Sequence, residues 1–437
     1  MLSLLNRINS LNSLQFHQLV RYLSVLLIGI LLSKSGLNIN DIGIYETFIF
    51  LSGLFTFFWI SGNIQGLLST YDEKKPEIIF NVFIIISLYS LLITLFIVLL
   101  FRYNLMFINM QLPVKSVIIL CIYILFANPS YLIEYIYFLK KDYLSLMKYS
   151  AFINILQIIL VVLPVYYTKD IMFCFYGLLF SAVIKFLWLV LIIYKYQIPI
   201  VCKLYEIKNH LVLSIPLILS IMFSASSDYI DSIIISKYFD KASFAIYRFG
   251  ARELPLTFIL ANTLSNYIVS QINTSGIELT LNEVKRKSAS LINILFPFST
   301  ILILTSFIFY PIIFNVDFYK SALIFNIFLI STISRLVFPQ SILIGLKENK
   351  IILISSIIEI FLNVVLSLIL LNYFGIAGIA LASVIAYSID KVILIVYCKI
   401  KLGINPSSYI PIKNYLILSS LLLISFWFSY YIFFDKI

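Results

Sequence analysis

Long uninterrupted apolar runs constrain this chain more than any other feature of its sequence. The run NVFIIISLYSLLITLFIVLL, residues 81–100, is long enough to cross a bilayer, since one crossing takes about 20 apolar residues in a helix. Within the hydrocarbon layer every backbone amide must be bonded inside the protein, and a single helix satisfies this alone. Because the runs lack the alternation of a transmembrane β-barrel, they predict an all-helical membrane protein.

Thirteen stretches of this kind account for most of the 437 residues. The predicted spans cover residues 16–33, 42–68, 78–101, 115–139, 143–167, 171–196, 211–236, 242–271, 287–314, 321–346, 351–373, 376–400 and 412–434. The first stretch contains Arg21 and lacks a small-x-small cleavage site, so we expect it to remain in the protein.

The composition agrees with a polytopic membrane protein. Only 12% of the residues are charged, whereas roughly a quarter are charged in a soluble domain. The net charge of +11 is what cytoplasmic loops contribute in such a protein, so we predict no nucleic-acid partner. Cysteines 121, 174, 202 and 398 are scattered without a CxxC or histidine partner spacing, which predicts neither a metal site nor a disulfide framework.

No sequence feature indicates an enzyme. The connections between spans are short, the longest lying around SGIELTLNEVKRK, residues 275–287, so no room exists for an extramembrane catalytic domain. The patterns GxGxxG, GxxxxGK[ST], HExxH and GxSxG are missing as well. We therefore predict a chain without catalytic activity and without a cofactor.

The distribution of basic residues predicts the orientation. Loops on the side of the N-terminus carry seventeen Lys and Arg residues, and the opposite loops with the C-terminus carry eight. Since cytoplasmic loops are enriched in Lys and Arg, the N-terminus is predicted to be cytoplasmic.

The chain also shows an internal duplication. Ser33-Lys34 matches Ser236-Lys237, and Ile44-Tyr45 matches Ile246-Tyr247. An even number of six spans per copy gives both copies the same orientation, so they form a parallel repeat. The predicted organisation is an N-terminal lobe at 1–196, a cytoplasmic linker at 197–210, a C-terminal lobe at 211–400 and an extra C-terminal span at 401–437.

Two segments carry a family resemblance. SIPLILSIMFSASSDYIDSIIISKYFDKASFAIYRFGARELP at residues 214–255, and a KEN turn with a mid-helix Asn before NYFGIAGIALASVIAYSI at 372–389, resemble bacterial O-antigen and polysaccharide flippases. That family belongs to the multidrug, oligosaccharidyl-lipid and polysaccharide (MOP) exporter superfamily. A departure is the lone thirteenth span, because such proteins usually have 12 or 14.

The resemblance implies a flippase with a lipid-linked substrate. It would move a polyisoprenyl-diphosphate-linked oligosaccharide, such as an O-antigen or another surface polysaccharide repeat unit, across the bacterial cytoplasmic (inner) membrane by alternating access. Its other partners would be membrane lipids and a coupling ion, H⁺ or Na⁺. The alternative on the same scaffold is an ion-coupled multidrug exporter of small amphiphilic compounds.

Charges inside the spans supply the candidate site, since each is costly in a bilayer and persists only where water, a partner or a ligand receives it. Guanidinium groups bind phosphate oxygens bidentately, which selects Arg21, Arg248, Arg252 and Arg335, with Lys185, as candidates for the diphosphate or an anionic sugar. Candidates for ion coupling or charge pairing are Asp228, Asp231, Glu46 and Glu359. The spacing also makes an Asp228–Arg248 ion pair feasible across a hairpin. Histidines 17 and 210, near cytoplasmic span ends, are predicted to be solvated or interfacial.

Overall fold

The computed structural model describes residues 10–103, 112–224, 226–252 and 255–433. Regular structure in these ranges consists of helices, with no strand, which confirms the predicted fold class. Contacts divide the chain into two compact units. The first comprises Met1–Ala225 with Ser236–Ala245, and the second comprises Ser226–Ile235 with Ile246–Ile437.

The first unit is built from nine helices of the described part of the chain. They are α1 Ser10–Ser33, α2 Ile39–Leu54, α3 Phe57–Thr70, α4 Glu77–Arg102, α5 Val114–Ser130, α6 Leu132–Leu139, α7 Tyr143–Thr168, α8 Met172–Lys195 and α9 Leu204–Ser224. Helices α10 Ser227–Tyr238 and α11 Lys241–Gly250 contribute residues to both units. The predicted lobes and their repeat stay predictions.

The remaining helices belong to the second unit. They are α12 Pro255–Ser275, α13 Ile277–Ile313, α14 Tyr319–Ile330, α15 Thr332–Arg335, α16 Pro339–Gly345, α17 Asn349–Leu402, α18 Pro406–Tyr409 and α19 Ile412–Phe433, with a 3-10 turn at Val316–Phe318. Asn326 ties three of them together, because its amide donates to the Ile303 carbonyl at 3.2 Å and to Ser429 at 3.3 Å. Buried polar bonds of this kind hold helices together where lipid removes the hydrophobic driving force.

Local sequence signals set several helix ends. The Asn38 side chain caps α2 by accepting a hydrogen bond from the Asp41 amide at 2.8 Å. Asp142 caps α7 through the Ser145 amide at 3.2 Å. Each cap satisfies a backbone donor that the first turn of a helix leaves unpaired. The apolar core of the first unit then forms where α3, α4, α6, α7 and α8 meet, around Leu67, Val82, Leu132, Ile136, Leu146 and Leu189.

The number of spans differs from the prediction. Ten helices of the described residues are long and apolar enough to cross a membrane, or eleven when α2 and α3, which bend by 44°, count as one span. Two features account for the difference from the thirteen predicted spans. The predicted spans 351–373 and 376–400 are counted together in α17, although Gly375 breaks the helix between them, and the predicted span 242–271 is divided into α11 and the less apolar α12.

Gly375 marks the division inside α17. Its backbone has φ 56° and ψ −135°, which interrupts the helical geometry and separates the two predicted spans. A residue with a side chain adopts this conformation only with strain, whereas glycine adopts it readily. The sequence therefore encodes a sharp break here, between two segments that continue as helices on either side.

Candidate functional site

Asp231 is the acid around which the polar groups of the second unit are arranged. It lies on α10 with 4% of its surface exposed. Its carboxylate accepts hydrogen bonds from the Tyr247 hydroxyl at 2.6 Å, from the Asn363 amide at 3.1 Å and from the Ser383 hydroxyl. Three donors from α11 and both segments of α17 thus converge on one buried carboxylate, as a buried charge requires.

A further hydrogen bond orients the Asn363 amide. The Ser367 hydroxyl, one turn further along α17, donates to Asn363 Oδ1 at 3.0 Å, and both residues are buried. This bond fixes the side-chain amide so that its nitrogen faces Asp231. The mid-helix asparagine that formed part of the sequence resemblance therefore has a structural role beside the predicted acid.

The acid lies on the wall of a cavity of about 230 Å³ within the second unit. The charged residues that line it are Asp231, Arg248, Arg335 and Glu359. The two arginines and Glu359 are half-buried, so their polar ends reach the cavity from apolar surroundings. The structure thus brings together four of the nine residues that the sequence selected, two of each charge.

Tyr387 connects this cavity to a buried ion pair formed by Asp390 and Lys391. The Arg335 guanidinium lies 5.9 Å from the centre of its ring, and the Lys391 ammonium lies 4.5 Å from the same centre. Lys391 also bonds to Asp390 at 3.0 Å and to Gln340 at 2.8 Å, with 6% of its surface exposed. Cation–π contact with one ring links the cavity-lining arginine to the buried lysine.

Arg252 lies beside the cavity rather than in it. Its guanidinium packs over the Phe249 ring, 4.3 Å from the centre, and with Arg335 it lines a smaller recess that includes Thr257 and Phe328. Arg248 and Arg252 are four residues apart, and in a continuing helix their side chains would share one face. Instead α11 ends at Gly250, and the two side chains line neighbouring pockets.

The other two predicted bases lie in the first unit. Arg21 on α1 has 45% of its side chain exposed and lies 3.7 Å from the Glu134 carboxylate of α6. The same carboxylate contacts His17 Nε2. Lys185 on α8 donates to Gln157 at 2.6 Å. The first unit thus holds its own basic residues around a buried acid that was not among the selected sites.

Both histidines correct the prediction of solvated or interfacial side chains. His17 is 6% exposed and His210 is 2% exposed. His210 Nε2 lies 3.1 Å from the Ser214 hydroxyl on the same helix, α9. The prediction was wrong because proximity to a span end does not determine which face of the helix a side chain occupies.

Two further acids, Glu46 and Asp228, were among the predicted site residues. Glu46 on α2 is buried in the first unit, with 3% of its surface exposed. The side chain of Asp228 lies outside the described part of the chain, and so does its predicted ion pair with Arg248.

The sequence analysis selected the basic residues of these clusters more completely than their acidic and neutral partners. Glu134 and Asp390 are charges inside predicted spans, and His17 precedes Arg21 by one helical turn, so position alone pointed to them. Ser383 and Tyr387 gave no such signal, because serine and tyrosine are common throughout these helices. Their contacts exist only in the folded chain, where Ser383 bonds to Asp231 and Tyr387 lies beside Arg335.

Comparisons with known proteins identify the fold. No protein-family model and no curated protein sequence matches the chain. Among solved structures, the lipid II flippase MurJ in an inward closed conformation is 17% identical, with a TM-score of 0.66 over 96% of this chain and 92% of that one. An inward-facing multidrug resistance MATE family transporter of the MOP superfamily is 14% identical, with a TM-score of 0.57 over 95% and 99%. A MOP superfamily transporter from Pyrococcus furiosus is 15% identical, with a TM-score of 0.52 over 94% of each chain.

The chain therefore has the fold of MOP-superfamily transporters, as the resemblance predicted. All three of these proteins are transporters or flippases. At these identities the likeness concerns the fold and leaves the substrate class to the chemistry of the site.

Proposed function

We propose that this protein is a flippase for a polyisoprenyl-diphosphate-linked oligosaccharide, of the kind used for O-antigen or another surface polysaccharide. The observation that carries the proposal is the cavity in which Arg248 and Arg335 meet polar and aromatic side chains. A guanidinium group matches two phosphate oxygens with two parallel N–H donors and is less strongly hydrated than an ammonium group. The headgroup of such a lipid offers a diphosphate and sugars to one surface.

The aromatic and neutral polar lining suits the sugar part of this substrate. Tyr247 and Tyr387 present rings with hydroxyl groups, and Ser331 and Asn363 add hydrogen-bonding groups to the same wall. Tyrosine combines an apolar surface with a polar tip, which is how proteins contact sugar faces and hydroxyls together. The isoprenoid chain would stay in the bilayer while the headgroup occupies the cavity.

Arg21 and Lys185 give the first unit basic groups for the same anion. The exposure of the Arg21 side chain supports this role, because a guanidinium group closed off by its partners would be out of reach. We propose that Arg21 and Lys185 contact the diphosphate or an anionic sugar during an alternating-access cycle. Arg252, at the neighbouring recess, would extend the basic surface of the second unit.

The charge distribution supports the proposed orientation in the membrane. The bias of Lys and Arg toward the N-terminal side supports a cytoplasmic N-terminus in a bacterial inner membrane. Substrate would then enter from the cytoplasmic leaflet and leave toward the outer one. The lobes of the predicted repeat, 1–196 and 211–400, would part laterally so that the lipid tail never leaves the membrane.

Asp231 is the first choice for coupling to H⁺ or Na⁺. It is a buried carboxylate on the cavity wall, and its partners Tyr247 and Ser383 supply hydroxyl oxygen atoms beside it. Oxygen ligands are what a hard cation requires, and the carboxylate alone suffices for a proton. Glu359 shares the cavity, and we propose Asp228 and Glu46 only as further charge-pairing positions.

The same acids support a second candidate function. Asp231 and Glu359 would suit a small amphiphilic cation, which is the substrate class of an ion-coupled multidrug exporter. The two arginines offset these acids, so the cavity offers a cation no net attraction, whereas the sugars of a lipid-linked headgroup have tyrosine and asparagine side chains to contact. We therefore place the lipid-linked anion first.

The pair Arg248→Ala and Arg335→Ala tests the site. Each charge-assisted bond to phosphate contributes roughly 1.5–3 kcal/mol, so the double variant is expected to flip a fluorescent polyisoprenyl-diphosphate oligosaccharide in proteoliposomes at least about tenfold more slowly. Arg286→Ala, which removes an exposed arginine on α13, is the matched control and should retain the native rate. Equal flipping by the double variant and the control would contradict the site.

A further inference from the structure

His17, Glu134 and Arg21 form a charge cluster in the first unit that the transport proposal does not use as a whole. Glu134 places one carboxylate oxygen against His17 Nε2 and the other 3.7 Å from the Arg21 guanidinium. The side chains of His17 and Glu134 are each 7% exposed, whereas that of Arg21 is 45% exposed. One acid therefore serves two bases, a buried one, His17, and a partly exposed one, Arg21.

The surroundings of the imidazole ring are defined by several helices. His17 stacks on Tyr149 of α7, with ring centres 6.4 Å apart and planes 14° apart. Further titratable or charged groups surround the cluster. Tyr131 directly precedes α6, and Tyr135 lies on α6. Lys185 on α8 interacts with both Arg21 and Glu134. His17 Nδ1 is buried without a hydrogen-bond partner. The ring thus has one nitrogen against the Glu134 carboxylate and one buried nitrogen without a hydrogen-bond partner.

The charge of His17 decides how much of the Glu134 charge is left for Arg21. With a neutral imidazole, the carboxylate and the guanidinium cancel, and His17, Glu134 and Arg21 together carry no net charge. With an imidazolium, His17 neutralises Glu134, and the same three residues carry one positive charge. Imidazole is the side chain whose charge ordinarily changes between about pH 5 and pH 8.

We propose that His17 and Glu134 form a proton-binding site that controls whether Arg21 is available to an anion. The inference rests on the proposed function in one respect, namely that Arg21 contacts a phosphate group of the substrate. Proton uptake at His17 strengthens anion binding at Arg21. Linkage is reciprocal, so an anion bound at Arg21 draws a proton onto His17.

Binding measurements across pH test this coupling. The probe is farnesyl diphosphate, titrated into the purified full-length protein in detergent between pH 5.5 and 8. We expect native affinity to rise about tenfold toward low pH beyond the change caused by the titration of the probe itself, within the usual range of 5- to 150-fold for coupled sites. His17→Gln should bind weakly with only the probe's own pH slope. Glu134→Gln should bind tightly with only that slope, because Arg21 is then always available.

The second histidine provides the matched control. The chain contains two histidines, and His210→Gln removes the one on α9, which should leave the native pH slope unchanged. Arg21→Ala should bind weakly at every pH. A native pH slope in His17→Gln, or its loss in His210→Gln, would overturn the inference.

A direct reading of the imidazole separates this inference from the proposed function. Nitrogen NMR of histidine-labelled protein, with the two rings assigned by His210→Gln, reports protonation of His17 without any ligand. Arg21→Ala should move the midpoint of that titration to higher pH, and Glu134→Gln should move it to lower pH, since each removes a charge of opposite sign. If no protein binds the probe while His17 titrates in this way, the phosphate site fails and the proton site stands. If His17 does not change between pH 5 and 8, the proton site fails whatever the probe does.

Discussion

Asp231→Asn is expected to abolish the response of transport to an ion gradient while leaving the protein folded. Asparagine has the shape of aspartate and can still accept the Tyr247 hydrogen bond, so the packing between α10, α11 and α17 should survive. It has no negative charge, however, and takes up neither a proton nor a cation under these conditions. We expect gradient-stimulated flipping to fall by at least about a hundredfold, in the range seen when a residue central to a mechanism is removed.

The measurement is the flipping rate in proteoliposomes with an imposed proton gradient, an imposed sodium gradient and neither. Asp240→Asn is the matched control, because Asp240 is an exposed acid in the short connection between α10 and α11. Hydrogen bonds from the side chain and backbone of Ser243 hold the pKa of Asp240 below its usual value, so this acid is ionised at neutral pH and its loss removes one charge. Undiminished stimulation of Asp231→Asn by either gradient would exclude Asp231 from coupling.

Breaking the pair Asp390–Lys391 is expected to cause the largest loss of stability. Their charged groups lie 3.0 Å apart, and their side chains are only 4% and 7% exposed. Replacing one member, as in Asp390→Leu or Lys391→Met, leaves the other as a buried charge without its counterion. Such changes cost about 3–5 kcal/mol, whereas replacing both members together is often close to neutral.

Reversible unfolding of the detergent-solubilised variants measures this effect. We expect each single variant to unfold at clearly lower denaturant concentration and the double variant to recover most of the difference. Lys141→Met is the matched control, since its partner Glu73 and Lys141 itself are mostly exposed. The hydrogen bond from Lys141 lowers the pKa of Glu73, yet an exposed pair contributes little to stability. A double variant as unstable as the sum of the singles would mean that the two charges do not compensate each other.

The fold was predictable because a lipid bilayer allows a spanning chain few backbone conformations. A chain with this density of apolar runs must satisfy its backbone in helices, and the predicted spans agree with the observed helices wherever no polar or glycine break intervenes. The breaks were harder to predict. The end of α11 at Gly250 and the bend of 44° between α2 and α3 depend on how each helix packs on its neighbours.

The site was predictable in its charges and not in its partners. An ionisable residue within a membrane span is costly and is retained where water, a partner or a ligand receives it. This argument selected the four charged residues that line one cavity, Asp231, Arg248, Arg335 and Glu359. Asn363, Ser383 and Tyr387 became recognisable only when the folded α17 placed them beside Asp231 and Arg335. Arg21 and Lys185 already belonged to the predicted N-terminal lobe, but their position around the acid Glu134 became recognisable only in the folded first unit.

Transport by the native protein tests the central claim most directly. Proteoliposomes would be loaded in parallel with a fluorescent polyisoprenyl-diphosphate oligosaccharide, its monophosphate counterpart and a cationic amphiphilic dye. A flippase that recognises a diphosphate through arginine should flip the diphosphate lipid faster than the monophosphate lipid and should not transport the dye. Efflux of the dye without flipping of either lipid would contradict the proposal and assign the cavity to a drug exporter instead.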